Sequence, residues 1–204
     1  MAYVPQDKFA KRARREGYRA RSSFKLLDLQ RKFKILKKGQ RVLDLGAAPG
    51  SWMQVAAPIV GEKGRVIGVD IALIKPLNFA WVKTFQKDIE DEDFVEFIKQ
   101  REARLFDVVL SDVAPSTTGM KERDQGLSHE FSLRALEIAK EVLRSGGSMI
   151  LKIFEGTETP QLVAETKKYF QKVNLAKPEA SQKGSKEFYL AARIFAMDKK
   201  AGNR

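Results

Sequence analysis

Cysteine is absent from the 204 residues, and histidine occurs once, at His129. The first absence excludes disulfides, thiol nucleophiles and cysteine-ligated zinc. The second argues against a histidine-ligated metal centre and against a Ser-His-Asp triad, so no metal is expected. No apolar run approaches the ~20 residues that a helix needs to span a bilayer. The opening residues, Met1 to Lys8, contain no apolar segment of the secretory kind. The expected compartment is the cytoplasm. Acidic residues are also in short supply. Asp and Glu number 26 against 38 Lys and Arg, for a formal net charge of +12.

What is present is a 43% hydrophobic chain, enough for a globular core. Its length suits one domain. The positive charge is unevenly spread. Lys8, Lys11, Arg12, Arg14, Arg15, Arg19, Arg21, Lys25, Arg31, Lys32, Lys34, Lys37 and Lys38 are opposed in that stretch only by Glu16 and Asp28. A merely solvated or thermophile-type charged surface is the bland account. The clustering, with Tyr18 and Phe24 interleaved, favours a polyanionic partner, a nucleic acid. Residues 1–20 read as a basic N-terminal arm that orders on binding RNA, and residues 21–204 as the folded domain.

Strand and helix patterns then alternate. A helix is predicted over 22–35, capped by Ser22 or Ser23. Arg41–Leu45, Val66–Val69, Ala80–Phe85, Phe106–Leu110 and Met149–Phe154 read as strands. Between them, Ser51–Val60, Asp93–Arg101 and Glu130–Leu143 read as helices, the last region ended by Gly146-Gly147. A further helix, Gln161–Phe170, precedes two last strands, Val173–Lys177 and Phe188–Phe195, with antiparallel pairing. The expectation is an α/β fold: a Rossmann-like, doubly wound, mostly parallel seven-stranded sheet with helices on both faces. Ligands in such sheets bind beyond the carboxyl ends of the strands.

The most informative stretch is Val42-Leu43-Asp44-Leu45-Gly46-Ala47-Ala48-Pro49-Gly50-Ser51-Trp52. A strand ends in an acidic residue, turns through a glycine-bounded loop and enters a helix. Asp70 closes the next apolar run about 20 residues on, where an acidic residue meets ribose hydroxyls in such folds. The loop is not G-x-G-x-x-G, and Pro49 removes a backbone N–H that a pyrophosphate would use. That disfavours a dinucleotide dehydrogenase. An adenosine cofactor without a diphosphate fits better, and S-adenosyl-L-methionine is the first candidate.

Asp70, Asp88 and Asp112 each stand at or just past a strand end. Each alone reads as a helix cap or turn former. Together, beside the glycine loop, they suit ribose hydroxyls (Asp70), an adenine amino group (Asp88) and a sulfonium (Asp112). Lys152 interrupts the apolar strand Met149–Phe154. It is either an edge-strand lysine facing solvent or a buried amine at the catalytic edge beside Asp112. Glu187, just before the last strand, can face the same crevice.

The chain resembles the RrmJ/FtsJ family of S-adenosylmethionine-dependent RNA 2′-O-ribose methyltransferases. The matching segments are Arg19-Ala20-Arg21-Ser22-Ser23-Phe24-Lys25-Leu26, Asp44 to Trp52, Ser111-Asp112-Val113-Ala114-Pro115, Leu151-Lys152-Ile153-Phe154 and Ser185-Lys186-Glu187-Phe188-Tyr189. They lie in family order along almost the whole chain. The resemblance implies a catalytic tetrad of Lys25, Asp112, Lys152 and Glu187. It implies cofactor binding at Gly46, Gly50, Trp52, Asp70, Asp88 and Asp112. It points to a uridine of large-subunit ribosomal RNA as substrate, with no membrane and no obligate protein partner. A tRNA substrate, or a non-catalytic RNA-binding protein on the same scaffold, are the alternatives. Lys152 is the candidate to take or steer the proton of the ribose hydroxyl, as a neutral base or as a fixed charge.

Overall fold

Alternate residues of the central strands face opposite sides, and the two cores divide accordingly. Leu43 and Leu45 of β1 (Arg41–Leu45) join one buried cluster, while Val42 joins the other. Ile67 and Val69 of β2 (Arg65–Asp70) and Val109 of β4 (Phe106–Ser111) follow the first pattern; Val66, Val108 and Leu110 follow the second. Strands buried on both faces are the mark of a parallel sheet sandwiched by helices.

In the computed structural model, residues 7–114, 121–182 and 184–196 are described. The seven strands run in the order β3-β2-β1-β4-β5-β7-β6. β3 (Val82–Gln86), β2, β1, β4 and β5 (Leu143–Phe154) pair in parallel. β7 (Glu187–Phe195) runs antiparallel between β5 and β6 (Phe170–Ala176). The first cluster packs beneath α4 (Phe94–Arg101), α5 (Lys121–Val142) and α6 (Thr159–Tyr169), and the second beneath α2 (Ser23–Phe33) and α3 (Ser51–Val60). The chain winds outward from β1 through β2 to β3, then returns to β4 on the other side of β1. That reversal opens a crevice between the carboxyl ends of β1 and β4, the general ligand position of doubly wound sheets.

The N-terminal segment departs from the sequence reading. Lys8–Arg15, within the segment read as a basic arm, forms a helix, α1, packed on the domain. Asp7 caps it, its Oδ1 accepting from the N–H groups of Phe9 at 3.0 Å and Ala10 at 3.3 Å. Ala13 is buried with Phe24 and Ala180, and the Phe9 ring lies 5.7 Å from that of Phe24. A single apolar stripe, too short to stand out among the basic residues, docks the helix. Residues 1–6 of the predicted arm lie outside the described residues.

Two boundaries also shift. α5 begins at Lys121, well before the expected Glu130. β5 begins at Leu143 and runs through Gly146-Gly147, which the sequence reading treats as a terminator. The pairing of β5 with β4 is irregular there, and Gly146 has φ 76°, so the glycines bend the strand without ending it.

Candidate active site

The loop after β1 is pinned to the end of β2. Val69 O accepts from the N–H groups of Gly46 at 2.9 Å and Ala47 at 3.1 Å. The Asp70 carboxylate accepts from Ala48 N at 2.9 Å and from Ala72 N at 2.8 Å. Gly46 has φ 69°, and a Cβ there would sit 2.7 Å from the Val113 side chain. Glycine therefore permits both the left-handed turn and the close passage of the β1 and β4 loops. Arg19 clamps the far side of the loop, donating to Pro49 O at 2.8 Å, Lys75 O at 2.5 Å and Pro76 O at 2.6 Å.

A cavity of about 340 Å³ opens at this point, at the strand ends. Gly46, Asp70, Asp88 and Asp112, four of the residues singled out in the sequence, line it, with Ile71, Ile89, Val113 and Phe131 as apolar walls. Gly50 and Trp52 do not. A Cβ on Gly50 would meet Arg19 Nη1 at 2.6 Å, so this glycine makes room for the Arg19 clamp. The Trp52 side chain is 2% exposed and lies in the core, with Nε1 donating to Ser22 O at 2.9 Å. Only its backbone N–H, in the first turn of α3 where no intrahelical acceptor exists, remains for a ligand.

The cavity suits an adenosyl sulfonium cofactor. Carboxylates accept from ribose hydroxyls and an adenine amino group, and apolar walls flank a base. The same acidic lining would repel a pyrophosphate, in line with Pro49 in the loop. Among the described residues, no group of three or more His, Asp and Glu could hold a metal ion, and no helix is long and apolar enough to cross a membrane.

Asp112 also faces a second set of side chains. Lys152 Nζ donates to Asp112 O at 2.6 Å and lies 3.1 Å from its Oδ1. Lys152 is 7% exposed and β5 lies between β4 and β7, so the solvent-facing edge lysine is excluded. Lys25 Nζ sits 2.7 Å from Glu187 Oε1 and 2.8 Å from Oε2, both residues buried. Ser181 Oγ donates to the same Glu187 Oε1 at 3.1 Å. Local structure sets these positions. Ser22 Oγ contacts Ser51 Oγ at 2.7 Å, and with the Trp52 bond it holds the start of α2 to α3, one turn before Lys25.

Tyr189 joins the two ion pairs, a role that its sequence context does not announce. Its hydroxyl donates to Asp112 Oδ1 at 2.7 Å, and Lys25 Nζ lies 5.7 Å from its ring centroid. Burial, reinforced by the charges of Asp112 and Glu187, pushes the phenol well above its ordinary range, so it stays protonated and donates. The strand pairing carries the signal. Lys152 is directly opposite Tyr189 across the β5–β7 pair, and Glu187 is two residues away on the same face.

Asp44 is, in the sequence pattern, only the acid near the end of the first strand. In the structure it is fully buried, and neither carboxylate oxygen has a hydrogen-bond partner among the described residues. Burial, then the charges of Asp112 and Asp70, hold its carboxyl well above the usual carboxylate range. The native state therefore keeps this proton after the unfolded chain has lost it. Above about pH 3.9, the unfolded carboxyl value, stability falls as pH rises, until the native carboxyl itself titrates. Asp44→Asn is expected to lose that component. From pH 5 to 9 the parent's denaturant midpoint should fall relative to the variant's as pH rises, and parallel curves would refute the assignment.

Comparison with known proteins agrees with this geometry. Residues 18–195 match the model of the FtsJ-like methyltransferase family. A Syntrophobacter fumaroxidans protein named ribosomal RNA large subunit methyltransferase E is 43% identical over 93% of this chain and 96% of its own length. A Bdellovibrio bacteriovorus protein of the same name is 42% identical over 93% of this chain and 97% of its own. Among solved structures, a Plasmodium falciparum chain assigned as a ribosomal RNA methyltransferase superposes with a TM-score of 0.78. It shares 31% identity over 87% of this chain and 98% of that one. With Asp112 placed between the glycine-loop cavity and two buried lysines, and with matches that run through every one of these segments, the chain belongs to the FtsJ-like methyltransferase family.

Proposed function

We propose that this protein transfers a methyl group from S-adenosyl-L-methionine to a ribose 2′-hydroxyl of RNA, on a uridine of large-subunit ribosomal RNA. The observation that carries the reading is the position of Asp112. Its side chain lines the cofactor-sized cavity and also pairs with buried Lys152. A hydroxyl brought to Lys152 therefore stands beside the cavity that would hold the methyl donor. The names of the relatives above support ribosomal RNA as the substrate.

When bound, the cofactor supplies an electrophilic methyl group on a positively charged sulfur. The protein's own residues do the rest. Asp70 would accept from the ribose hydroxyls of the cofactor and Asp88 from its adenine amino group, with Gly46 permitting close approach. Gly50 and Trp52 contribute through the shape of the loop and the first turn of α3. Lys152 Nζ, beside that site, would take or steer the proton that the 2′-hydroxyl must lose when it is methylated. Asp112 holds that nitrogen in place, with the Tyr189 hydroxyl fixing the carboxylate. Lys25, anchored by Glu187, orients the ribose. Alignment of the reacting atoms is itself a large contribution in a bimolecular displacement.

The test is to incubate the protein with labelled cofactor and, separately, ribosomal subunits, free ribosomal RNA and tRNA, then map the product. The expected product is a 2′-O-methyl nucleotide in large-subunit RNA, resistant to alkaline cleavage at that position. Label in tRNA alone would move the substrate. RNA binding without transfer to any of them would leave a non-catalytic RNA-binding protein on this scaffold.

RNA affinity should draw on α1. Lys8, Lys11, Arg14 and Arg15 are exposed there, while Ala13 faces the core. Deleting the helix would uncover Phe24, so substitution is the cleaner experiment. Replacing these four residues with glutamine is expected to weaken RNA binding and flatten its dependence on log salt by roughly 0.7–0.9 for each phosphate no longer neutralised. S-adenosylhomocysteine affinity should hold. An unchanged salt slope would show that α1 does not touch RNA.

A further inference from the structure

The opposite end of the sheet is strongly basic. Arg41 opens β1 and Arg65 opens β2, and the two are directly paired in register. Like charges at such a cross-strand position repel. One buried carboxylate holds them together: Glu102 accepts from Arg41 at 2.6 Å and from Arg65 at 3.2 Å. Around this pair lie Lys63, Lys83, Arg101 and Arg104, which line an open cleft of about 470 Å³. Six cations thus face two carboxylates, Glu102 and Asp107, and Asp107 is itself bound by Arg144 at 2.6 Å. Among the described residues, Lys63, Lys83 and Arg104 form no ion pair, and all three are exposed. Cohesion of the fold accounts for Arg41, Arg65 and Glu102. It does not account for gathering three further unpaired cations around them.

The lining also says what kind of partner fits. Apart from Gly39 and Gly64, every lining residue is charged, with no aliphatic or aromatic side chain among them. A protein interface needs a desolvated apolar or aromatic anchor, and none is offered. A phosphodiester backbone needs only spaced cations. The cleft lies at the start of the strands, whereas the cofactor cavity lies at their carboxyl ends. The five residues of β1 alone separate them by roughly 17 Å. A nucleotide seated in the active site would not itself touch the cleft, so an RNA that fills both must extend from one end of the sheet to the other.

We propose that this cleft is a second RNA-binding surface, which grips the sugar–phosphate backbone of a segment remote from the target nucleotide. The inference rests on the reading of RNA as substrate. It adds that the RNA recognised is folded, presenting two backbones to opposite ends of one sheet.

The test is the triple variant Lys63→Ala/Lys83→Ala/Arg104→Ala, which spares the Arg41–Glu102–Arg65 bridge. A charge-reversed version with glutamate at the same positions serves as the second variant. Binding is measured across a salt series on two RNAs, a hairpin carrying only the target loop and intact large-subunit ribosomal RNA. On the large RNA, the alanine variant should lose about tenfold or more in affinity, and its log-salt slope should flatten by about two to three units. The glutamate variant should lose more. On the hairpin, both variants should match the parent, and both should retain its melting temperature and its affinity for S-adenosylhomocysteine. Unchanged slopes on the large RNA would overturn the proposal and leave the substrate reading intact. An equal loss on the hairpin would also overturn it, because the cleft would then belong to the target-site contact. A parent protein that binds neither RNA would overturn the proposal, and the substrate reading would then rest on the ribosomal-subunit arm of the transfer assay.

Discussion

Lys152→Ala is expected to lower methyl transfer by on the order of 10²–10⁴-fold, the range for a positioned proton-transfer group. The lysine is buried at 7% exposure and touches Asp112 through two oxygens. The substitution removes the acceptor that the ribose hydroxyl would meet, and leaves Asp112 with the Tyr189 hydroxyl as a partner. Removing one member of a buried ion pair also lowers stability. Lys152→Met, which keeps most of the packed stem, is therefore measured beside it. Both should bind S-adenosylhomocysteine nearly as well as the parent, because Lys152 does not line that cavity. Lys152→Arg should not rescue transfer, since a guanidinium stays protonated and has a different shape. Single-turnover rates at saturating RNA and cofactor isolate the step. Near-parental rates in both neutral variants would make Lys152 structural. Rescue by arginine would make it a fixed positive charge and discard the base.

Asp70→Ala should show the other large effect, on cofactor binding and not on the chemical step. Losing hydrogen bonds to a charged acceptor costs about 1.5–3 kcal/mol, a factor of about 10–150 in affinity. The structure adds a complication. The same carboxylate ties Ala48 N and Ala72 N, so part of the loss will come from a loosened glycine loop. Asp70→Asn separates the contributions. Asparagine keeps one oxygen to accept from the loop but has lost the charge, so its affinity should fall between parent and alanine. Calorimetry with S-adenosylhomocysteine reads this directly, and parental affinity in a folded alanine variant would remove Asp70 from the site.

The sheet and its crevice are legible in the sequence because their signals are local. Apolar runs such as Phe106–Leu110 mark buried strands, and an acid at each strand end marks the edge where ligands bind. Lys152 stands out because a lysine inside an apolar strand breaks the pattern. Lys25 and Glu187 are different. Neither disturbs its surroundings, and only family resemblance sets them together; the structure brings their charged atoms to 2.7 Å. Tyr189 escapes notice because an aromatic residue in a strand is unremarkable until its cross-strand partner is known to be Lys152. Gly50 and Trp52 look like ligand contacts because they stand in the loop motif. Their side-chain positions instead serve the Arg19 clamp and the core, distinctions that depend on which face of the turn meets which neighbour. α1 is hidden because the charge of its basic residues dominates composition, whereas its ordering depends on little more than Asp7, Phe9 and Ala13. The cleft at the strand starts draws Lys63, Lys83 and Arg104 from separate loops and strands, so no window of sequence contains it.

The ion pair between Lys25 and Glu187 joins the first helix after α1 to the last strand of the sheet. A ribosome delivers these two residues far apart in time, and a growing chain folds from its N-terminal side. Until β7 has emerged and slid between β5 and β6, Lys25 has no carboxylate and Asp112 lacks the Tyr189 hydroxyl. A nascent chain could thus hold much of its cofactor cavity, which β1 to β4 and their loops supply, before it could carry out the reaction. If these residues act as proposed, competence would arrive with β7. An enzyme so arranged would stay silent while it is still being made, and its activity would report that the whole sheet has closed.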